Sequence, residues 1–135
     1  LIGSIRLARR VLRPMIKAKH GRIVFMSSVV GLLGSAGQVN YAASKAGLIG
    51  AARSLTREVG SRGITVNVIT PGFIDTDMTA GLDEATKSAI LKTIPAARYG
   101  QPDEVAQTVE FLVSNSAAYI SGAVIPVDGG LGMGH

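Results

Sequence analysis

Three short apolar runs set the main constraint on this 135-residue chain: Arg22-Ile23-Val24-Phe25-Met26, Ile64 to Thr70, and Ala123 to Val127. Between them lie stretches whose apolar residues recur at three-and-four spacing, the period of an amphipathic helix. The first run is short, β-branched and nearly all apolar, as expected for a strand buried on both faces of a parallel sheet. The spacing predicts a helix from Ile2 to Ile16, kinked or ended by Pro14. Gly31, Gly34 and Gly37 predict a loop over 29–40, followed by a helix from about Val39 to Ser61 that Gly63 stops. Pro71-Gly72 breaks the second strand. Helices follow at about 83–93 and from Pro102 through Val113, the latter with Asp103 and Glu104 near its positive end. Strand, helix, strand, helices, strand implies parallel right-handed crossovers and an α/β layered fold.

The length fits one modest domain. A chain that is 47% hydrophobic and 17% charged is too apolar for disorder, yet its apolar residues are interrupted too often for a membrane span. The absence of cysteine excludes a disulfide framework, thiol catalysis and cysteine-ligated zinc, and is compatible with a cytoplasmic protein. Residues Leu1 to Arg6 lack the pattern of a targeting leader, and a start without Met inside a helical pattern reads as a fragment. Charge is uneven: residues 1–67 carry eleven Lys/Arg against Glu58 alone, whereas residues 68–135 carry three against eight acids. The basic half suits an anionic cofactor or an acidic protein; with no nucleic-acid motif or aromatic platform, nucleic acid is not the expected partner.

Open parallel sheets bind ligands beyond the carboxyl ends of their strands. Ser27/Ser28, Pro71 to Thr76 and Asp128-Gly129-Gly130 all fall there. Tyr41 and Lys45 are one turn apart at the start of the long helix, so an ammonium can stand near a phenol. A phenol is a poor acid at neutral pH, and a neighbouring cation favours its phenolate. Ser28 could then hold a substrate oxygen near Tyr41. Taken alone, a Tyr and a Lys at this spacing usually form a solvated or packing pair.

Other features read more simply. Gly31-x-x-Gly34-x-x-Gly37 lacks the Gly-x-Gly start and the Lys of phosphate loops, so a flexible substrate loop is expected. His20 and His135 read as a loop residue and a chain end, with no metal site. Asp75 and Asp77 are expected to cap the next helix or shape a loop. Ala43, Ala46, Gly47, Gly50 and Ser54 give the long helix a small-residue face that could receive another helix.

Ser28, the glycine-rich loop, Tyr41-Ala42-Ala43-Ser44-Lys45 and Asn67-Val68-Ile69-Thr70-Pro71-Gly72 together resemble the short-chain dehydrogenase/reductase family, including the thirteen-residue step from Ser28 to Tyr41. Gly21 to Val24, Asn40 to Gly47, Arg62 to Asn67, Pro71 to Met78 and Tyr119 to Gly122 look like the 3-oxoacyl-acyl-carrier-protein reductases. Val127 to His135 is most similar to their mycobacterial-type relatives. The resemblance implies that Ser28 orients a ketone, Tyr41 protonates it, and Lys45 assists Tyr41 while holding the nicotinamide ribose. It places Pro71, Gly72, Ile74 and Thr76 at the cofactor, NADPH, and implies docking of acyl-carrier protein at Lys19 and Arg62 in a homodimer or homotetramer.

The family's glycine-rich dinucleotide turn and catalytic asparagine precede the residues present. The resemblance therefore implies a single partial domain over residues 1–135: the C-terminal portion of a Rossmann-like doubly wound parallel sheet, about three strands with flanking helices. This would be the catalytic half, without the N-terminal cofactor-binding half, and its first strand would leave an edge open. The expected activity of the intact protein is NADPH-dependent reduction of 3-oxoacyl-acyl-carrier protein in fatty acid biosynthesis. The alternatives are a short-chain alcohol dehydrogenase acting on a sugar, steroid or small alcohol, and an inactive fragment that only self-associates.

Overall fold

The chain is layered around one strand, Ile64–Pro71, whose residues from Ile64 to Thr70 are all buried. The structure, a computed structural model, describes residues 1–76, 79, 81 and 83–133. Its elements are α1 (Ile2–Ala18), β1 (Gly21–Met26), α2 (Val30–Leu33), α3 (Val39–Val59), a 3₁₀ turn (Gly60–Arg62), β2 (Ile64–Pro71), α4 (Glu84–Thr93), α5 (Pro102–Val113), a second 3₁₀ turn (Asn115–Ala117) and β3 (Val124–Val127). The three strands form one parallel sheet in the order β1-β2-β3.

The pleat sorts the core into two layers. Ile23 and Phe25 of β1 and Ile64, Val66 and Val68 of β2 point to one face, where they meet Ala8 of α1 and Leu48, Ala52 and Val59 of α3. Val24, Ile69 and Ile125 point to the other, against Val105, Val109 and Leu112 of α5. Helices on both faces of a parallel sheet explain why these strands are almost wholly apolar. The predicted α/β fold and its three strands are therefore present. β1 and β3 are the outer strands, so the outer edge of β1 is open among the described residues.

Two local expectations are corrected. Pro14 does not end α1: the helix runs on to Ala18 and closes at Lys19, whose φ of 52° lets its N–H and that of His20 donate to the carbonyls of Ile16 and Met15. Pro14 is exposed, so water can satisfy the Arg10 carbonyl that proline leaves without a donor, while Ala8, Val11, Leu12 and Met15 hold the helix to the sheet. The segment 29–40 is not loop throughout, because Val30–Leu33 forms a helical turn packed on α3; the chain leaves the helical path over residues 34–38, with Gly34 and Gly37 both at φ 76°. The cap of α4 is Asp83, whose carboxylate accepts from the Thr86 N–H at 2.9 Å and the Thr86 hydroxyl at 2.7 Å. Asp75 lies in a loop, one of the two roles expected of it, with its N–H on the Gly100 carbonyl at 2.8 Å; Asp77 and His135 lie outside the described residues.

Gly63 has a steric reason for its identity. Its φ is 70°, and a Cβ there would lie 2.5 Å from the Lys19 carbonyl oxygen, where the end of α1 meets the turn before β2.

Before β3 begins, side chains add to two backbone bonds, from the Gly122 N–H to the Val66 carbonyl at 2.8 Å and from the Val68 N–H to the Ala123 carbonyl at 2.9 Å. The fully buried Asn67 donates to the Ile120 carbonyl at 2.8 Å and accepts from the Ala123 N–H at 3.1 Å. Ser121 Oγ accepts from the Val66 N–H at 3.1 Å and pairs with Thr56 Oγ1 of α3 at 3.2 Å. Asn67→Ala leaves a half-buried carbonyl and a half-buried N–H without their partner, at a cost of about 1–3 kcal/mol. A lower urea midpoint than wild type is expected, and an unchanged midpoint would refute this account of the crossover.

Candidate active site

β1 and β2 deliver the polar residues. Past Met26 the two chains stay paired: the Ser27 N–H donates to the Ile69 carbonyl at 2.8 Å and the Val29 N–H to the Pro71 carbonyl at 2.9 Å. This holds Ser28 beside Pro71-Gly72. A cavity of about 600 Å³ opens there, bounded by Ser28, Gln38, Tyr41, Phe73, Ile74 and Thr76.

Ser28 is nearly buried, and its Oγ accepts from the Val30 N–H at 3.2 Å, which leaves the hydroxyl proton to be donated into the cavity. Tyr41 enters from the first turn of α3 and is 45% exposed, open enough to meet a ligand. Lys45 Nζ stands 5.6 Å from the centre of the Tyr41 ring, within cation–π range, and donates to the Met26 carbonyl at 2.9 Å. Ser27 fixes the lysine from its other end by donating to the Lys45 carbonyl at 2.8 Å. The close approach of α2 to this turn requires Gly31, where a Cβ would lie 2.9 Å from Lys45 Cβ.

The predicted residues are thus only partly gathered. Ser28, Tyr41, Gly72, Ile74 and Thr76 line one cavity, with Pro71 ending β2 at its margin. Lys45 lines a second groove, of about 550 Å³, along the outer edge of β1. Lys19 and Arg62 stand next to the N-terminal ends of β1 and β2, at the opposite end of the sheet from Ser28. Sequence reasoning missed Gln38, at the N-cap of α3, and Thr79, whose hydroxyl accepts from the Thr76 N–H at 2.9 Å. Neither carried a motif; only the folded loop brings them to the cavity.

The loop 72–76 is set on a firm floor. The Gly72 N–H donates to the Val127 carbonyl at 3.0 Å, and a Cβ at Gly72 would lie 2.7 Å from Asp128 Cβ. Asp128 in turn accepts from the N–H groups of Gly130 at 2.9 Å and Gly132 at 2.8 Å, tying the glycine-rich tail to the end of β3. Nearby, Arg98 Nη1 and Nη2 donate to Glu104 Oε2 and Oε1 at 2.8 Å and 2.6 Å. The Arg98 guanidinium, with the Gln101 N–H, holds the Glu104 carboxyl down to about 2.

Among the described residues, no three His, Asp or Glu side chains gather as a metal site, and no helix is long and apolar enough to cross a membrane.

The family described as enoyl-(acyl carrier protein) reductase matches residues 1–132. The 3-oxoacyl-[acyl-carrier-protein] reductase MabA of Mycobacterium tuberculosis is 56% identical over all 135 residues, which cover 55% of its length. The 3-oxoacyl-[acyl-carrier-protein] reductase FabG of Pseudomonas aeruginosa is 59% identical over 128 residues, 95% of this chain and 52% of that protein. FabG of Escherichia coli is 55% identical over 133 residues, 98% of this chain and 54% of that protein. The chain spans about half the length of the curated relatives it matches.

Because the folded Glu104 carboxyl is held below its ordinary value, its bond to Arg98 contributes fully above that value and is lost as pH falls toward 2. Because the pair is exposed, its loss in acid is expected to loosen the Arg98–Gln101 turn and not to change the global transition. A carboxyl titration followed by NMR checks the shift: Glu104 should titrate well below the ordinary glutamate range and move back toward it in Arg98→Gln, and an Arg98→Gln variant that left it in place would contradict the assigned cause.

Proposed function

The chain belongs to the short-chain dehydrogenase/reductase family, and we propose that it forms the catalytic half of a 3-oxoacyl-acyl-carrier-protein reductase of fatty acid biosynthesis. The observation that carries the reading is one cavity bounded by the hydroxyls of Ser28 and Tyr41 and the 72–76 loop, with an ammonium behind the Tyr41 ring.

The donor set fits a nicotinamide dinucleotide. Tyr41 and Lys45 present a phenol and an ammonium able to meet ribose hydroxyls, and the Gly72, Ile74 and Thr76 wall suits a flat, partly polar ring. NADPH, when bound, supplies the hydride. Ser28 donates a hydrogen bond to the ketone oxygen and holds it toward Tyr41. The Tyr41 phenol gives its proton to that oxygen as negative charge develops, and the Lys45 ammonium stabilises the phenolate left behind. Val29, Val30, Phe73 and Ile74 give the cavity the apolar surface that an acyl chain requires. Lys19 and Arg62 supply cations for an acidic carrier protein.

Tyr41→Phe keeps the ring and removes the proton, so turnover of a 3-oxoacyl thioester should fall by about 10²–10⁴-fold with NADPH binding retained. Lys45→Met should lower both turnover and cofactor affinity. These tests use the longer protein that carries these residues; normal turnover in Tyr41→Phe would sink the assignment. The 135 residues by themselves should neither bind NADPH saturably nor turn over, because no glycine-rich phosphate turn of the dinucleotide-binding kind occurs among them. Fluorescence titration with NADPH tests that.

A homo-oligomer built on α3 completes the reading. Ala43, Ala46, Gly50 and Ser54 are exposed, and a Cβ at Gly50 would meet nothing within 4 Å. Gly50→Leu should therefore leave the subunit's own stability intact while weakening association, since overpacking at a helix contact costs about 1–3 kcal/mol. An unchanged sedimentation coefficient in the mutant of the longer protein would remove this element of the proposal.

A further inference from the structure

The cavity wall 73–75 is irregular backbone, and its anchor lies some twenty-five residues further along the chain. The Gly100 N–H donates to the Phe73 carbonyl at 3.0 Å, and the Asp75 N–H donates back to the Gly100 carbonyl at 2.8 Å. Ile74 and Gly100 are bridged as in a parallel ladder, and the Phe73 and Tyr99 rings pack 6.4 Å apart. The fit is close: a Cβ at Gly100 would lie 2.8 Å from Ile74 Cδ1, so the tip of that side chain would have to give way, and 3.7 Å from Glu104 Oε2.

Glu104 holds this anchor. It sits in the first turn of α5, a helix fixed to the sheet by Val105, Val109 and Leu112. Its carboxylate accepts both terminal nitrogens of Arg98 and, at 2.7 Å, the Gln101 N–H. Arg98 also donates to the Tyr99 carbonyl at 3.0 Å. Thus residues 98, 99 and 101 are all tied to one fork-to-carboxylate pair, and Gly100 is held between them. Ala97, at φ 54°, takes a backbone conformation that L residues rarely adopt, as the chain turns into Arg98.

We propose that Arg98 and Glu104 are positioning residues for the Ser28–Tyr41 cavity: through Gly100 their bidentate bond sets the place of the Phe73–Asp75 wall. What that wall serves, the nicotinamide, rests on the function proposed above; that it is held from Glu104 does not. The pair is exposed, and exposed ion pairs generally add little to global stability. Its effect is local, because two parallel charge-assisted bonds fix an orientation that a single bond would leave loose.

Arg98→Lys keeps the charge and loses the fork; Glu104→Gln keeps an acceptor for the Gln101 N–H and loses the ion pair. Amide hydrogen exchange of the chain, read without cofactor or substrate, is expected to quicken by about tenfold at Gly100 and Asp75 in both variants, with β2 and α3 unchanged. Unchanged exchange at those amides would overturn the proposal, as would an acceleration spread evenly over the sheet. In the longer protein, KM for NADPH should rise more than kcat falls. A fall in kcat with KM untouched would count against a positioning role at the cofactor wall. Loosened amides in a protein that never reduces a 3-oxoacyl thioester would unseat the proposed reaction and leave the clamp standing.

Discussion

Everything at the candidate site depends on the parallel ladder between β1 and β2, and on its running past the end of β1. Six residue pairs from Gly21↔Ile64 to Met26↔Ile69 set the register. Because the ladder then continues through Ser27 and Val29, Ser28 is delivered to the side of Pro71-Gly72 rather than left to a free loop. β2 can act as this reference because it is paired on both edges and covered on both faces. A one-residue slip would turn Val66 and Val68 out of the α1/α3 layer and bring Asn67 into it, leaving Ile120 and Ala123 without their partner.

Much of this arrangement was legible from spacing. The strands were marked by short β-branched runs, α3 by its apolar period, and Ser28, Tyr41 and Lys45 by their positions at a strand end and along one helical turn. The fold and the family membership read from those features stand. The features that sequence reasoning missed are those in which a local rule is overruled by tertiary packing. Pro14 breaks an isolated helix, yet an exposed proline in a helix nailed to a sheet costs one bond that water replaces. Val30–Leu33 sits among glycines, yet its apolar residues find α3.

A second class was invisible because it joins segments with no sequence pattern in common. Asn67 with Ile120 and Ala123, Gln38 with the cavity, and Glu104 with Gly100 and the Ile74 wall are of this kind. Glu104 was noticed for its place near the positive end of α5; the fold adds that its carboxylate faces Arg98. Lys45 lies between the two classes. Its spacing from Tyr41 was evident, but its hold on the Met26 carbonyl was not, and that hold keeps the ammonium at the open edge of β1 as well as beside the phenol ring. An incoming strand that pairs along that edge would compete with Lys45 for the same oxygen.

The separation of Lys19 and Arg62 from Tyr41 sets a requirement of reach. These cations stand where β1 and β2 begin, Tyr41 where they end, and six strand residues span about 20 Å. A cargo whose carrier is gripped at that end of the sheet can react at Tyr41 of the same chain only if its tether is at least that long and can pass around the sheet. A shorter tether would oblige the carrier to be gripped by one chain and its cargo reduced by another.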